Sequence, residues 1–326
     1  MNVAILGAGS WGTALALILT QNQHRVVLWG NNPERLAEAD RLRENRRYLP
    51  GVPLPETLRL ESDLTRAMDQ AEVVVVSVPS KAFREITGRM PGFEGIMVST
   101  TKGIEHTTGK TMCQILAETA PRARVAALSG PTLAAEVARG VPTAVVAASP
   151  SADIAEQIQA LFHRPTFRVY TSTDVIGVEL GGALKNVVAI AAGICDGLGL
   201  GDNAKAALIT RGLAEMSRMG VACGAKAETF SGLSGLGDLT VTCTSRLSRN
   251  RGFGERIGRG ERVADLLAAS ATVIEGFPTS RSAHELALRL GVSAPITAEV
   301  HATLHEGKSP RQAVVDVLNR ETRSES

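Results

Sequence analysis

The sequence is poor in the features that mark a secreted, membrane-spanning or nucleic-acid-binding chain. It has four cysteines among 326 residues, Cys113, Cys195, Cys223 and Cys243, and none makes a C-x-x-C pair. That is too few for a disulfide scaffold, so reduced thiols filling core space are expected. The longest uninterrupted apolar stretch, Val187 to Cys195, is nine residues. A membrane span needs roughly 18. Met1 runs straight into a strand and a glycine turn with no basic region before it, so a signal peptide is not expected and a cytoplasmic location is. The net charge is only +2, with both signs spread along the chain, which argues against nucleic acid as the main partner. No repeat of 20–50 residues and no low-complexity linker stands out. Lysine is scarce, seven against 28 arginines, so a lysine in an apolar or glycine-rich setting calls for a reason.

What is present is globular. Hydrophobic residues make up 44% and charged residues 21%, an ordinary composition for a packed protein. At about 100–200 residues per domain, the length suggests two domains. The first part alternates. Val3–Leu6, Arg25–Trp29, Glu72–Val78, Gly95–Ser99, Arg124–Leu128, Thr143–Ala148 and Phe167–Tyr170 read as strands. Helical patterns lie between them, and continuous β-branched runs separated by helices predict a doubly wound, mostly parallel sheet of Rossmann type. After Thr173 the strand pattern stops and seven helical stretches follow, so the second domain is expected to be all-helical. The glycine-rich stretch Ser231–Asp238 reads as a loop. The boundary is placed within a long helix, giving a dinucleotide-binding domain over 1–188 and a helical substrate domain over 189–326.

Gly7-Ala8-Gly9-Ser10-Trp11-Gly12 is G-x-G-x-x-G, set after a hydrophobic strand and at the start of a helix. In that context Gly7 permits the tight turn, Gly9 lets backbone approach a pyrophosphate, and Gly12 lets helix and strand pack closely. A strictly NAD-binding fold ends its second strand in a carboxylate that holds the ribose hydroxyls. Here that point reads Trp29-Gly30-Asn31-Asn32-Pro33, followed by Arg35, Arg46 and Arg47. Without a repelling carboxylate, NADP is expected to be at least tolerated; the asparagines also suit a helix cap.

Lys102 lies just past a strand, where ligands of open α/β sheets bind, and Ser129-Gly130-Pro131-Thr132 ends the next strand in the same way. Lys185 sits in the nearly apolar helical stretch Glu179–Cys195. Burial would bring its pKa down toward a useful range; the alternative is a lysine that snorkels to the surface. Asn186 beside it could orient a substrate or a nicotinamide. Asp238 closes the glycine-rich stretch. Ser248-Arg249-Asn250-Arg251 begins a helix, and Arg246, Arg249 and Arg251 form the one basic cluster, suited either to a phosphate or to a solvated face. His301 and His305 are four apart, but no third metal ligand stands near; a solvated helix face is the reading, and no metal is expected.

These segments resemble the bacterial NAD(P)-dependent glycerol-3-phosphate dehydrogenases over essentially the whole chain. The resemblance rests on GAGSWGTALA at 7–16, TKGIE at 101–105, SGPTLAAEVA at 129–138, the ALKN-containing run at 179–216, GLSGLGDL at 232–239, TSRLSRNRGFG at 244–254 and VIEGFPT at 273–279. It implies that Lys185 donates or accepts the proton. It implies that Lys102, Gly130, Thr132, Asp238, Ser248, Arg249 and Asn250 line the substrate site. Ser10, Trp11, Asn31, Lys102, Ala134, Arg249, Val273 and Glu275 would face the cofactor, NADP or NAD. The family reduces dihydroxyacetone phosphate to sn-glycerol 3-phosphate for phospholipid synthesis, as a cytoplasmic homodimer. One rival is a dehydrogenase of β-hydroxy acids or acyl-CoA, which would want a histidine acid/base; His163 is the only histidine from 140 to 200. The other is a dinucleotide-sensing module without turnover, which would need no buried lysine.

Overall fold

The computed structural model describes residues 1–270 and 272–319. Its backbone packing forms two units. Met1–Lys102 and Lys110–Glu179 make one; Gly103–Gly109 and Leu180 onward make the other. The expected division at residue 188 falls inside the helix that begins the second unit.

The first unit is built on an eight-stranded sheet. In chain order its elements are β1 (Asn2–Leu6), α1 (Ser10–Gln21), β2 (Arg25–Trp29), α2 (Pro33–Leu42), β3 (Arg59–Glu61) and α3 (Leu64–Met68). They continue as β4 (Val73–Val76), α4 (Ser80–Thr87), β5 (Ile96–Ser99), α5 (Met112–Thr119), β6 (Arg124–Ser129), α6 (Ala134–Ala138), β7 (Thr143–Ala148), α7 (Ala152–Phe162) and β8 (Phe167–Ser172). The strand order is β3-β2-β1-β4-β5-β6-β7-β8. The order reverses between β1 and β4, so a crevice opens at the carboxyl ends of these two strands. β4 is four valines, all buried, because helices cover both faces of the sheet. All seven pairings are parallel except β6 with β7. The five-residue α6 advances only about 7.5 Å, too little to return along a strand of about 20 Å, so β7 runs back beside β6. β3 was not expected: three residues with exposed Arg59 carry no readable alternation.

The second unit is helical. α8 (Val175–Leu198) leads into it, followed by α9 (Gly201–Ala222), α10 (Ala227–Phe230), α11 (Asp238–Thr244), α12 (Arg249–Gly258), α13 (Val263–Ala269), α14 (Gly276–Leu290), α15 (Pro295–His305) and α16 (Pro310–Leu318). α8 is long and apolar enough to cross a membrane, with mean hydropathy 1.6 over its most apolar window, but 83% of that window is buried within the protein. The glycine-rich stretch is not a loop, as its glycine content suggested. Leu233–Gly237 forms one π-helical turn that runs directly into α11. Its glycines admit close packing: a Cβ on Gly181 of α8 would lie 2.6 Å from the Ser234 carbonyl oxygen.

α8 and α12 meet backbone to backbone. Side chains on Gly193 or Gly197 would collide with the carbonyl oxygens of Arg251 and Glu255, and one on Gly254 with that of Ile190. A Cβ on Gly258 would lie 2.6 Å from the Ile194 oxygen. Two buried glutamates cap helices from a distance. Glu179 accepts from Cys113 N–H at the start of α5 (3.0 Å), and Glu215 accepts from Ile296 and Thr297 N–H at the start of α15 (2.9 and 2.8 Å). Three of the four cysteines are buried and Cys223 is half-buried.

Candidate active site

In the first unit the sequence-predicted phosphate loop lies at the reversal of strand order. Gly7 follows β1 with φ +121°, and a Cβ there would lie 2.5 Å from the Ser77 carbonyl oxygen just past β4. Only glycine meets both conditions. A Cβ on Gly12 would collide with the Gly7 carbonyl. Gly9 has open space on its Cβ side and precedes α1 without supplying a side-chain cap. The first N–H groups of α1 therefore face an open approach at the positive end of the helix, which is what an anionic pyrophosphate requires. Trp11 adds a buried indole N–H with no hydrogen-bond partner in the protein. These features fit a dinucleotide. Ser10 spends its hydroxyl on the Tyr48 carbonyl (2.6 Å), which fastens the loop after α2. Asn32 caps α2 by accepting from Arg35 N–H at 2.9 Å, while Asn31 is exposed. Ala134 opens α6, partly buried against the core.

Lys102 follows β5. Its ammonium donates to the Gly130 carbonyl (2.9 Å) and to Thr132 Oγ1 (3.1 Å), and Thr132 in turn donates to the same carbonyl (3.2 Å). Gly130 has φ +149°, and a Cβ would lie 2.9 Å from Val145 Cα. Three residues singled out from two strand ends thus form one connected group.

In the second unit Lys185 is buried, 6% exposed, in the middle of α8. It does not snorkel. Its Nζ lies 3.0 Å from Asp238 Oδ1 and donates to Thr242 Oγ1 at 2.6 Å. Thr242 donates to the Asp238 carbonyl at 2.6 Å, one turn back on α11. Asp238 and Thr242 are 1% and 5% exposed, so the ammonium sits in a dry setting with its carboxylate partner in place. Thr242 escaped the sequence reading. Its only signal was a spacing of four from Asp238, and the stretch before it read as a loop.

The start of α12 is tied to α8 and α14. Asn250 Nδ2 donates to Asn186 Oδ1 (2.8 Å), and Asn250 Oδ1 accepts from Gly276 N–H (3.0 Å). Asn186 is therefore a clamp for Asn250. Ser248 caps α12 by accepting from Arg251 N–H (3.2 Å). Arg249 is exposed and donates to the Val273 carbonyl at 3.0 Å, with the Glu275 carboxylate near enough to attract its charge. The basic cluster divides: Arg251 pairs with Asp196 at 2.7 Å and with Glu255 at 3.2 Å, so it is not available as a phosphate ligand. His301 and His305 are not a solvated face. His301 stacks on His284 at 4.3 Å, and His305 bonds Ser280 at 2.9 Å. Among the described residues no three His, Cys, Asp or Glu side chains group so as to hold a metal. His163, the residue a histidine-dependent rival would need, is exposed at the end of α7.

The chain is similar throughout to known proteins. The family model described as NAD-dependent glycerol-3-phosphate dehydrogenase N-terminus matches residues 2–155, and the corresponding C-terminus model matches 174–315. Curated relatives named glycerol-3-phosphate dehydrogenase [NAD(P)+] include one from Chlorobium limicola, 50% identical, covering 100% of this chain and 99% of its own. Another, from Pseudoalteromonas translucida, is 48% identical over 99% of this chain and 98% of its own. The crystal structure of glycerol-3-phosphate dehydrogenase from Coxiella burnetii superposes with a TM-score of 0.95 at 42% identity, covering 98% of this chain and 99% of that one. With both family models matched in order on a phosphate loop and a buried lysine site, the chain belongs to the NAD-dependent glycerol-3-phosphate dehydrogenase family.

Proposed function

We propose that the protein reduces dihydroxyacetone phosphate at C2 to sn-glycerol 3-phosphate with NAD(P)H, reversibly, and so supplies glycerophospholipid synthesis. The observation that carries this reading is the buried group Lys185–Asp238–Thr242, an ammonium held dry and oriented in a chain whose first unit fits a dinucleotide. When bound, the reduced nicotinamide supplies a hydride equivalent to the substrate carbon.

The protein's own residues do the rest. Lys185 hydrogen-bonds the carbonyl oxygen and gives Nζ–H to the developing alkoxide. Asp238 keeps positive charge tolerable in a buried setting, and Thr242 fixes the rotation of the ammonium about its Cε–Nζ bond. Lys102, held by Gly130 and Thr132, presents its ammonium to a substrate hydroxyl. Arg249 holds the phosphate with guanidinium donors beyond the one given to Val273, helped by the positive end of α12 and by the second N–H of Asn250. Ser248 supports that turn as its cap. Ser10, Trp11, Ala134, Val273 and Glu275 bear on the cofactor, with Asn31 at the point that distinguishes NADP from NAD. A cytoplasmic homodimer is the proposed working form, to be read by light scattering. The function is tested by NADPH absorbance with dihydroxyacetone phosphate. Oxidation at a steady rate is expected; NADPH binding without turnover would leave only a dinucleotide-binding module.

A further inference from the structure

Further along α8 from Lys185 lies a charged cluster that the reaction above does not use. Asp196, near the end of α8, places Oδ2 at 2.7 Å from Arg251 Nε, and its Oδ1 pairs with Lys205 of α9. Arg251 also reaches Glu255 at 3.2 Å. The side chains of Arg251, Asp196 and Lys205 are only 13%, 16% and 16% exposed, so solvent screens them weakly. Glu255 also pairs with Arg259, so two carboxylates hold three cations.

The place of Arg251 in the chain makes this cluster consequential. It is two residues beyond Arg249, and its backbone N–H closes the Ser248 cap. Its neighbour Asn250 is bonded to Asn186 on α8. The turn Ser248–Arg251 is therefore fixed to α8 at Asn186 and at Asp196, ten residues apart, or about 15 Å along the helix. The turn is also held by Gly276 N–H on Asn250 Oδ1 and by the contact of the Arg251 backbone with Gly193, so the Asp196 ion pair adjusts its orientation within that frame. The backbone contact of Gly254 with Ile190 also lies along this length. Lys185 stands next to the first anchor on the same helix.

We infer that Asp196 and Arg251 are positioning residues: they fix where Arg249 stands relative to Lys185, and so set the distance at which the phosphate end of the substrate is gripped. The inference rests on the proposed reduction of dihydroxyacetone phosphate. Removing the Asp196 charge leaves Arg251 and Lys205 as neighbouring cations, which repel and shift the turn. The phosphate contact depends on that shift, whereas the Lys185 group, held by Asp238 and Thr242, does not.

The test is steady-state kinetics of Asp196→Asn with dihydroxyacetone phosphate and, separately, with unphosphorylated dihydroxyacetone. KM for the phosphorylated substrate should rise about 5- to 20-fold, since a misplacement of an ångström can be costly. kcat should stay within about twofold. kcat/KM for dihydroxyacetone should hardly move, so preference for the phosphorylated substrate falls. In an Arg249→Ala background the Asp196→Asn effect should vanish, because a placement effect acts only through the placed group. Arg251→Lys keeps the charge, loses the Nε contact and should give an intermediate KM; it also replaces Asp196→Asn should that variant fold poorly. An unchanged substrate preference, or losses that add to Arg249→Ala, would overturn the inference. Absence of turnover by the unmodified enzyme would instead sink the functional reading, and the same assay reads that first.

Discussion

The two units position their candidate site groups by opposite means. The first builds its binding surface from backbone. Gly7, Gly9 and Gly12 clear space around helix N–H groups, and the one ammonium, Lys102, is itself held by a carbonyl, that of Gly130. The second builds from side chains. Lys185 is held by Asp238 and Thr242, Asn250 by Asn186, and Arg251 by Asp196. A backbone site is general, since every residue carries an N–H, and it suits a common cofactor group. A side-chain site is particular. Its donors stand in one arrangement, and one substitution removes one function.

That contrast breaks first at Lys185. Lys185→Met keeps helix and volume and deletes the proton, and general acid catalysis contributes about 10²–10⁴-fold. A fall of that size in kcat is expected, with NADPH affinity unchanged by fluorescence titration. Near-native kcat would remove Lys185 from the chemistry.

The next test separates the units by pH. Glu179, buried in the first unit, has its pKa pushed up from 4.5 to about 7, chiefly by desolvation. Its folded pKa lies above the unfolded one, so its contribution to stability is full below pH 4.5 and is lost as pH rises through 7. The shift corresponds to about 3 kcal/mol at roughly 1.4 kcal/mol per unit. His305 in the second unit goes the other way. Desolvation, then Arg281 and His301, bring its pKa down from 6.5 to about 4. Its contribution is present above pH 6.5 and is lost as pH falls through 4. Glu179→Gln should therefore flatten the rise in Tm on going from pH 7 toward 4.5, and His305→Gln the fall on going from 6.5 toward 4. Like-signed changes in both variants would refute this opposition.

A third test asks what Arg249 grips. A charged hydrogen bond contributes roughly 1.5–3 kcal/mol, about 10- to 150-fold. Arg249→Ala should raise KM for dihydroxyacetone phosphate within that range, and Arg249→Lys should recover only part of it, lacking the fork. Equal losses with unphosphorylated dihydroxyacetone would assign Arg249 to the fold instead. The smallest effect belongs to the exposed Asn31. The enzyme should use NADPH at least as well as NADH, and Asn31→Asp should shift kcat/KM a few-fold toward NADH by repelling the 2′-phosphate. A strong NADH preference before any substitution would end that argument.

The same contrast explains what could be read from sequence. β1, β4 and β5 were legible because strands buried on both faces are unbroken apolar runs, and β8, at the sheet edge, because buried Phe167 and Val169 alternate with exposed Arg168 and Tyr170. The phosphate loop was legible because backbone sites leave a local glycine signature. β3 was too short, and the glycines that suggested a loop instead admit a π turn against α8. Lys185 was visible as a lysine out of place. Its partner Thr242 was not, nor was the partner of Arg251, since a side-chain site joins positions that only the fold brings together. His301 and His305 showed the right spacing but the wrong surroundings, because His284 comes from another helix.

The glycine contacts between α8 and α12 carry a further consequence. Most helix pairs are separated by side chains that can change rotamer, so their spacing is an average over a soft cushion. Here carbonyl oxygens abut glycine backbone at four positions, and no cushion exists. The separation stands at its floor: a side chain at Gly193, Gly197, Gly254 or Gly258 can only widen it, and none can narrow it. The spacing of the two helices is thus set by main chain, stiff against thermal motion and readjustable by mutation in one direction only, and the side-chain anchors of the Ser248–Arg251 turn act on top of it.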